Sequence, residues 1–293
     1  MKSKIKQILS NIVYWLYETN ILKNEIKVQN MEDTIEELLN TNKSLVRFGD
    51  GEIVVLKGKN IVFQQSNAEI SEGLKRIISY PHEGLIVALP QMFEGVEQYR
   101  VQSGRFWKEH LLTGRKSYYK YCNKNKVYGN AFFSRFYYAY ADKEKCSQWI
   151  SKIKLLWKDK NIVVVEGIKS HNGVENDLFA DAKSIQRIIC PATNAMSCYE
   201  QILEECKKYN KDVLFLLSVG ITAKFLAEAL YLEGYRAIDI GNLDQEYEWY
   251  LRKTDVKIDI EKYSKITEKE NFDAGYLEYL DQIQIRIGEE NNG

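Results

Sequence analysis

Short, almost unbroken apolar runs punctuate the second half of the chain: NIVVVEG, SIQRIIC, DVLFLLSVG and YRAIDIGN. Runs of this length, rich in Val, Ile and Leu, predict strands buried on both faces. The segments between them have helical period, with one helix predicted from about Ala195 to Lys208 and another over TAKFLAEALYLEG. Strands that alternate with helices at short spacing predict a parallel sheet with right-handed crossovers.

The first half is less regular. A helix is predicted from about Met31 to Asn40, with Ile35, Leu38 and Leu39 on one face. SLVRF reads as a strand entering the loop Gly49-Asp50-Gly51-Glu52. EIVVLKG and NIVFQQ read as a hairpin around Gly58, Lys59 and Asn60. Glu69 to Ser79 reads as a helix, followed by the strand GLIVALP. The stretch from Gln91 to Trp157 is helix-rich, and its aromatic clusters YYKY and FFSRFYYAY are read mainly as core. At the start, three lysines precede Ile8, Leu9, Ile12, Val13, Trp15 and Leu16, with Gln7, Ser10 and Asn11 interposed. That run is too short and polar to span a bilayer, and no small-residue cleavage site follows it. It predicts an amphipathic helix packed on the body or on a partner, with peripheral membrane contact as the second reading. The fold class is therefore α/β: a Rossmann-like, mainly parallel sheet flanked by helices. A helical extension is expected over residues 1–42, the main domain over 43–255 and a helical tail over 256–293.

Charge adds one distinction. The 41 basic and 41 acidic residues cancel, so the chain lacks the basic footprint of a general nucleic-acid binder. Between Val101 and Lys160 there are 14 basic and 4 acidic residues, 14 − 4 = +10; from Gly241 onward there are 7 and 13, 7 − 13 = −6. The basic middle suits an anionic substrate or surface, or ordinary solvated faces, and the acidic end reads as solvated helix. The five cysteines are scattered without a C-x-x-C pair, which fits a reduced, cytoplasmic chain and not a zinc site.

Ligands of parallel sheets lie outside the carboxyl ends of the strands, which directs attention to the loops after Phe48, Val165, Val219 and Ile240. In the first, Asp50 and Glu52 are spaced to converge on a hard divalent ion, with Arg47 as a phosphate clamp. On spacing alone a plain Asp-Gly turn ranks ahead. In the second, Glu166 ends a strand where a general base would sit. Lys169 and Ser170 suit phosphate oxygens, His171 is a binding candidate, and Asn176 or Asp177 could cap a helix. In the third, Gly220 and Thr222 open a helix whose N-terminus attracts anions. In the fourth, Asp244, Glu246 and Glu248 follow a strand and suit the first turn of a helix. Walker and G-x-G-x-x-G motifs are absent.

Taken together, RFGDGE, NAFFSR, VEG followed by GVxND, IxRIICPAxNA and DIGNLDQEYEW resemble the bacterial glycosyltransferases of the GT-D fold, a family first defined as a domain of unknown function. The motifs occur in order from roughly Ser44 to Tyr250. The resemblance implies a nucleotide-sugar donor and a Mn²⁺ or Mg²⁺ ion held at the DxE acids Asp50 and Glu52. It places Arg47 in the same motif and matches Ser134 and Arg135 to a Ser-Arg pair. Glu166, Asn176 and Asp177 fall in the EG…GVGND stretch, Gly220 and Thr222 in GPT, and Asp244 and Glu246 in the terminal motif. His171, Glu175, Ile221 and Asn242 depart from the family pattern, which shifts phosphate contact towards Lys169, His171 or Arg135.

The function so implied is transfer of a hexose from a UDP-sugar to a glycan acceptor, on a surface polysaccharide or a glycoprotein. Glu166 is the weaker expectation, as the base. The alternatives are a nucleotide-sugar or phosphosugar hydrolase and a non-catalytic nucleotide-sugar-binding subunit of a glycosylation complex. A cytoplasmic chain is expected, working near the inner membrane face, with a homo-oligomer as an open state.

Overall fold

The computed structural model describes residues 2–263 and 274–288. Within them, nine strands form one sheet in the order β1-β4-β3-β2-β8-β7-β5-β6-β9, and every pairing is parallel. The strands are β1 (Lys27–Val28), β2 (Ser44–Arg47), β3 (Leu85–Leu89), β4 (Val127–Asn130), β5 (Asn161–Gly167), β6 (Ser184–Cys190), β7 (Leu214–Ser218), β8 (Arg236–Asp239) and β9 (Ile283–Arg286). Central members such as β3, β5 and β7 are buried except at a strand end, as the unbroken apolar runs require.

The α-helices among the described residues are α1 (Lys2–Glu18), α2 (Met31–Asn40), α3 (Asp50–Leu56), α4 (Ala68–Ile78), α5 (Val101–Tyr121), α6 (Lys143–Lys154), α7 (Tyr199–Lys207), α8 (Thr222–Leu232), α9 (Leu243–Leu251) and α10 (Ala274–Gln282). The periodic segments fall where their patterns place them. In α2, Asn30 caps the Asp33 N–H at 2.8 Å while Ile35 and Leu38 are buried. No described helix is long and apolar enough to cross a membrane.

Two expectations change. EIVVLKG is not a hairpin strand but helix α3, and the following segment makes only an isolated bridge between Ile61 and Gln64. The cause is local: the Glu52 carboxylate accepts the Gly49 N–H at 2.7 Å, closing the first helical turn. Ile53, Val55 and Leu56 then pack one helix face into the core, which outweighs the strand preference of Ile and Val. The termini also do more than add helices. The N-terminal segment contributes β1 at one edge of the sheet, and the segment expected as a helical tail contributes β9 at the other, beside β6. The rest of that tail, residues 264–273 and 289–293, lies outside the described residues.

The connection from β2 leads to β3 on one side. Its other neighbour, β8, is reached from β7, and the chain beyond β8 goes on to β9 at the far edge. The boundary of β2 and β8 is thus a topological switch point, where α/β sheets open a crevice at their carboxyl end.

Candidate active site

At that crevice four charges alternate in sign, Lys224 and Asp239 buried and Arg47 and Glu52 half-buried. Arg47 ends β2 and grips Asp239 at the end of β8. Its Nη2 is 3.0 Å from Asp239 Oδ1, its Nε donates to the Asp239 carbonyl at 2.8 Å, and its Nη1 donates to the Ala131 carbonyl at 3.3 Å. Lys224, in the first turn of α8, places Nζ 3.0 Å from Asp239 Oδ2 and 2.9 Å from Glu52 Oε1. The chain of charges reads Glu52, Lys224, Asp239, Arg47. Burial opposes ionisation of Glu52 and Asp239. Lys224 overrides it at Glu52, and Arg47 and Lys224 override it at Asp239, so both carboxyls are held below their usual range. Burial likewise works against the Lys224 ammonium, but Asp239 and Glu52 raise it above its ordinary value.

Gly241 makes this cluster sterically feasible. Its φ is +43°, and a Cβ there would stand 1.8 Å from Arg47 Nη2.

Around the cluster lie groups with capacity left over. Asp50, the first residue of α3, is exposed and has no hydrogen-bond or ion-pair partner among the described residues. Gly220 is exposed just before α8, and the Thr222 hydroxyl at the start of α8 is buried without a hydrogen-bond partner among the described residues. Phe63, half exposed, faces Gly220 from the loop after α3. Asn194 ties that loop to the turn after β6, accepting the Gln65 N–H at 2.8 Å and donating its own N–H to the Phe63 carbonyl at 2.9 Å. The exposed helix start at Gly220 suits anionic oxygens, and Asp50 suits a hard cation.

The donor set fits a divalent ion of the magnesium or manganese kind. Such ions take one or two carboxylates and complete their shells with water and phosphate oxygens. Asp50 supplies a carboxylate with all its lone pairs free. Glu52 offers only what Gly49 and Lys224 leave it.

Several residues read from the sequence as ligand contacts are structural instead. Glu166 is fully enclosed: Oε1 meets Arg187 Nη1 at 2.5 Å, and Oε2 accepts the Asn172 N–H at 2.8 Å and its side-chain amide at 2.6 Å. With both oxygens so held away from solvent, it is not placed to deprotonate an acceptor. His171 is buried against Tyr276 and Tyr279, and burial keeps its imidazole below the usual pKa. Lys169, next to it, is exposed, and Ser170 is half-buried. Asn176 caps no helix, since the segment forms turns; its Oδ1 accepts the Leu178 N–H at 3.0 Å.

The acids of α9 are buried rather than solvated, and they brace the crevice on two sides. Asp244 and Glu248, one turn apart, share Lys262: Nζ is 2.8 Å from Asp244 Oδ2 and 2.7 Å from Glu248 Oε1. Asp244 also accepts the Gly173 N–H and the Asn176 amide, each at 2.8 Å. On the opposite side of α9, Glu246 accepts the Tyr137 and Tyr138 N–H groups at 3.1 and 2.7 Å and lies 3.7 Å from Arg135. Burial raises the Glu246 carboxyl above its usual range, against Arg135 and those N–H groups. Asp177 is held by Tyr247 and Lys154 at 2.5 and 2.7 Å. Ser134 is buried, its hydroxyl without a partner among the described residues, whereas Arg135 keeps a solvent-reaching guanidinium.

Lys224 and Lys262 escaped sequence reasoning. Lys224 did leave a trace, a cation set among the apolar residues of the helix start AKFLA directly after a strand.

Comparison with known proteins identifies the family of this fold. The model of the glycosyltransferase GT-D fold matches residues 45–268. Probable glycosyl transferase Gly of Streptococcus gordonii is 39% identical over 258 residues, 88% of this chain and 37% of that protein. Glycosyltransferase GlyD of Streptococcus pneumoniae is 36% identical over 269 residues, 89% of this chain and 33% of that protein. The chain therefore spans about a third of the length of these curated relatives. A solved structure of the highly conserved domain of unknown function 1792, described as having a distinct glycosyltransferase fold, is similar at a TM-score of 0.83 and 36% identity, covering 90% of this chain and 96% of that one. A new glycosyltransferase of the same domain from Streptococcus sanguinis is similar at 0.81 and 36%, covering 88% and 98%. The chain belongs to the GT-D-fold glycosyltransferase family.

Proposed function

We propose that the chain is a metal-dependent hexosyltransferase unit, taking the sugar from a UDP-sugar and delivering it to a glycan acceptor of a surface polysaccharide or glycoprotein. The observation that carries this reading is the free Asp50 carboxylate beside the compensated cluster at the switch point. Arg47 and Lys224 are matched by Asp239 and Glu52, so the cluster sums to zero, and Asp50 brings the total to −1. A diphosphate approaching such a site needs an added cation, and Asp50 is the group free to hold it, with Glu52 beside it. When bound, Mn²⁺ or Mg²⁺ offsets the charge that develops on the departing nucleotide.

The chain's own residues do the rest. The α8 N-terminus at Gly220–Thr222 orients phosphate oxygens, and Arg135 and Lys169 supply solvent-reaching positive charge from the turns after β4 and β5, at the same end of the sheet. The cluster holds its shape through ion pairs instead of being neutralised by substrate. The five free cysteines suit a reducing, cytoplasmic setting.

Calorimetry with UDP and a panel of UDP-sugars, with and without manganese, tests the reading. UDP affinity should rise at least about tenfold with the metal, and Asp50→Ala should abolish that gain without loss of fold, because Asp50 has no hydrogen-bond or ion-pair partner among the described residues. Glu52→Ala is a less clean probe, since it also unpairs Lys224. Metal-independent UDP binding, or undiminished transfer by Asp50→Ala, would refute the metal assignment. Donor hydrolysis that no sugar acceptor diverts would indicate a hydrolase.

A further inference from the structure

Helix α1 lies against α5 the wrong way round for a core helix. The side that touches the body carries Ser10, Tyr14 and Tyr17. Ser10 and Tyr14 are buried, the Tyr14 hydroxyl donates to the Met92 carbonyl at 3.2 Å, and the Arg115 guanidinium sits 3.6 Å from the Tyr17 ring centre. The outward side carries Ile5, Ile8, Leu9, Ile12 and Trp15, each between 49% and 59% exposed. At i, i+3, i+4, i+7 and i+10 these five form one stripe, about 15 Å long at helical rise. Packing has thus seated the tyrosine-bearing face against the body and left the aliphatic stripe outside.

We propose that this outward face of α1 is a docking surface for an anionic lipid bilayer, with the helix lying in the plane of the interface. Charge complementarity selects the occupant. The helix sequence carries Lys2, Lys4 and Lys6 and no acid before Glu18. Lys6 pairs with Glu109 of α5, and one turn before Glu109 the exposed Arg105 and Phe106 extend the same mixture of basic and apolar groups. Aliphatic side chains and one Trp flanked by lysines are the composition of an interfacial helix: the apolar groups enter the acyl boundary while the ammonium groups meet anionic headgroups. Area argues against a second copy of the chain as the occupant. Four aliphatic groups and one indole at half exposure present on the order of 500 Å², short of the roughly 800 Å² per partner of a stable protein interface. The Tyr14–Met92 bond joins this helix to the loop at the carboxyl end of β3, so docking would hold the crevice end of the sheet close to the lipid surface.

The test is co-sedimentation with vesicles of equimolar phosphatidylcholine and phosphatidylglycerol, compared with phosphatidylcholine alone. The wild-type chain should bind the anionic vesicles, bind the neutral ones weakly and release as salt rises. Ile8→Asp combined with Ile12→Asp should weaken binding about tenfold or more, since two apolar groups no longer enter lipid and two charges are added. The melting profile should stay that of wild type, because both side chains face solvent. Tryptophan emission should shift to the blue on binding, and Trp15→Phe should remove that shift. Failure to bind anionic vesicles, or binding that survives the double substitution, would overturn the proposal. So would a wild-type dimer, by light scattering, that the double substitution breaks into monomers, because a second copy would then cover the face. None of these readouts depends on donor or metal binding.

Discussion

Replacing Glu166 with Gln distinguishes a base from a structural carboxylate. Glu166 and Arg187 are both enclosed, at 0% and 2% side-chain exposure, with Nη1 2.5 Å from Oε1. The substitution keeps shape and some hydrogen bonding but leaves the Arg187 guanidinium with neutral partners alone among the described residues: the Gln282 amide oxygen at 2.7 Å, the Asn172 carbonyl at 2.9 Å, the Tyr279 ring centre at 4.9 Å and the new Gln amide. A buried cation without a counter-charge costs about 3–5 kcal/mol. At about 2 °C per kcal/mol for a chain of this size, the melting temperature should fall by about 6–10 °C. Replacing both partners, Glu166→Gln with Arg187→Met, removes the stranded charge and should restore most of the loss. The assay is urea unfolding by circular dichroism for wild type, single and double variants, with transfer activity measured well below each midpoint. A structural role predicts that stability and activity recover together in the double variant. A base role predicts unchanged stability in the single variant and a loss of about 10²–10⁴ in rate that the second substitution does not repair. Unfolding of Glu166→Gln within about 0.5 kcal/mol of wild type would refute the reasoning.

Two further outcomes follow from the charge cluster. Gly241→Ala forces a Cβ onto the Arg47 guanidinium at a left-handed φ, so it should cost about 1–3 kcal/mol in urea unfolding and weaken UDP binding in the same sample. Asp239 supplies a pH signature: its folded carboxyl titrates below its unfolded value near 4, so its stabilisation is full above about pH 4 and lost as pH falls through the lower, folded value. Urea midpoints measured from pH 7 downward should therefore drop below about pH 4. Asp239→Asn should be less stable at pH 7 yet flatter across that acidic window, and a wild-type midpoint flat to pH 2 would contradict the assignment.

The parallel α/β class and most of its elements were legible in the chain because their signals are local. Unbroken apolar runs such as NIVVVEG and DVLFLLSVG specify doubly buried strands, and α2 carries its own cap and apolar face. The motif acids could also be read as a set. What each acid does could not, because a carboxylate in sequence carries no mark of its partner. Asp50 and Glu52 are two residues apart, yet one is left free while the other is claimed by Lys224 from α8. Glu166 ends a strand as a base would, and is neutralised by Arg187 from the neighbouring strand. Asp244 and Glu246 share a helix turn but lie on opposite sides of it, one fastening the turns after β5 and the other those after β4. The outward apolar stripe of α1 was readable as amphipathic, while its direction was settled only by how Tyr14 and Tyr17 seat against α5. Periodicity and capping act over a few residues and so are written along the chain. Charge compensation at 3 Å joins residues far apart in sequence, such as Arg47 and Asp239, and only the folded sheet brings them together.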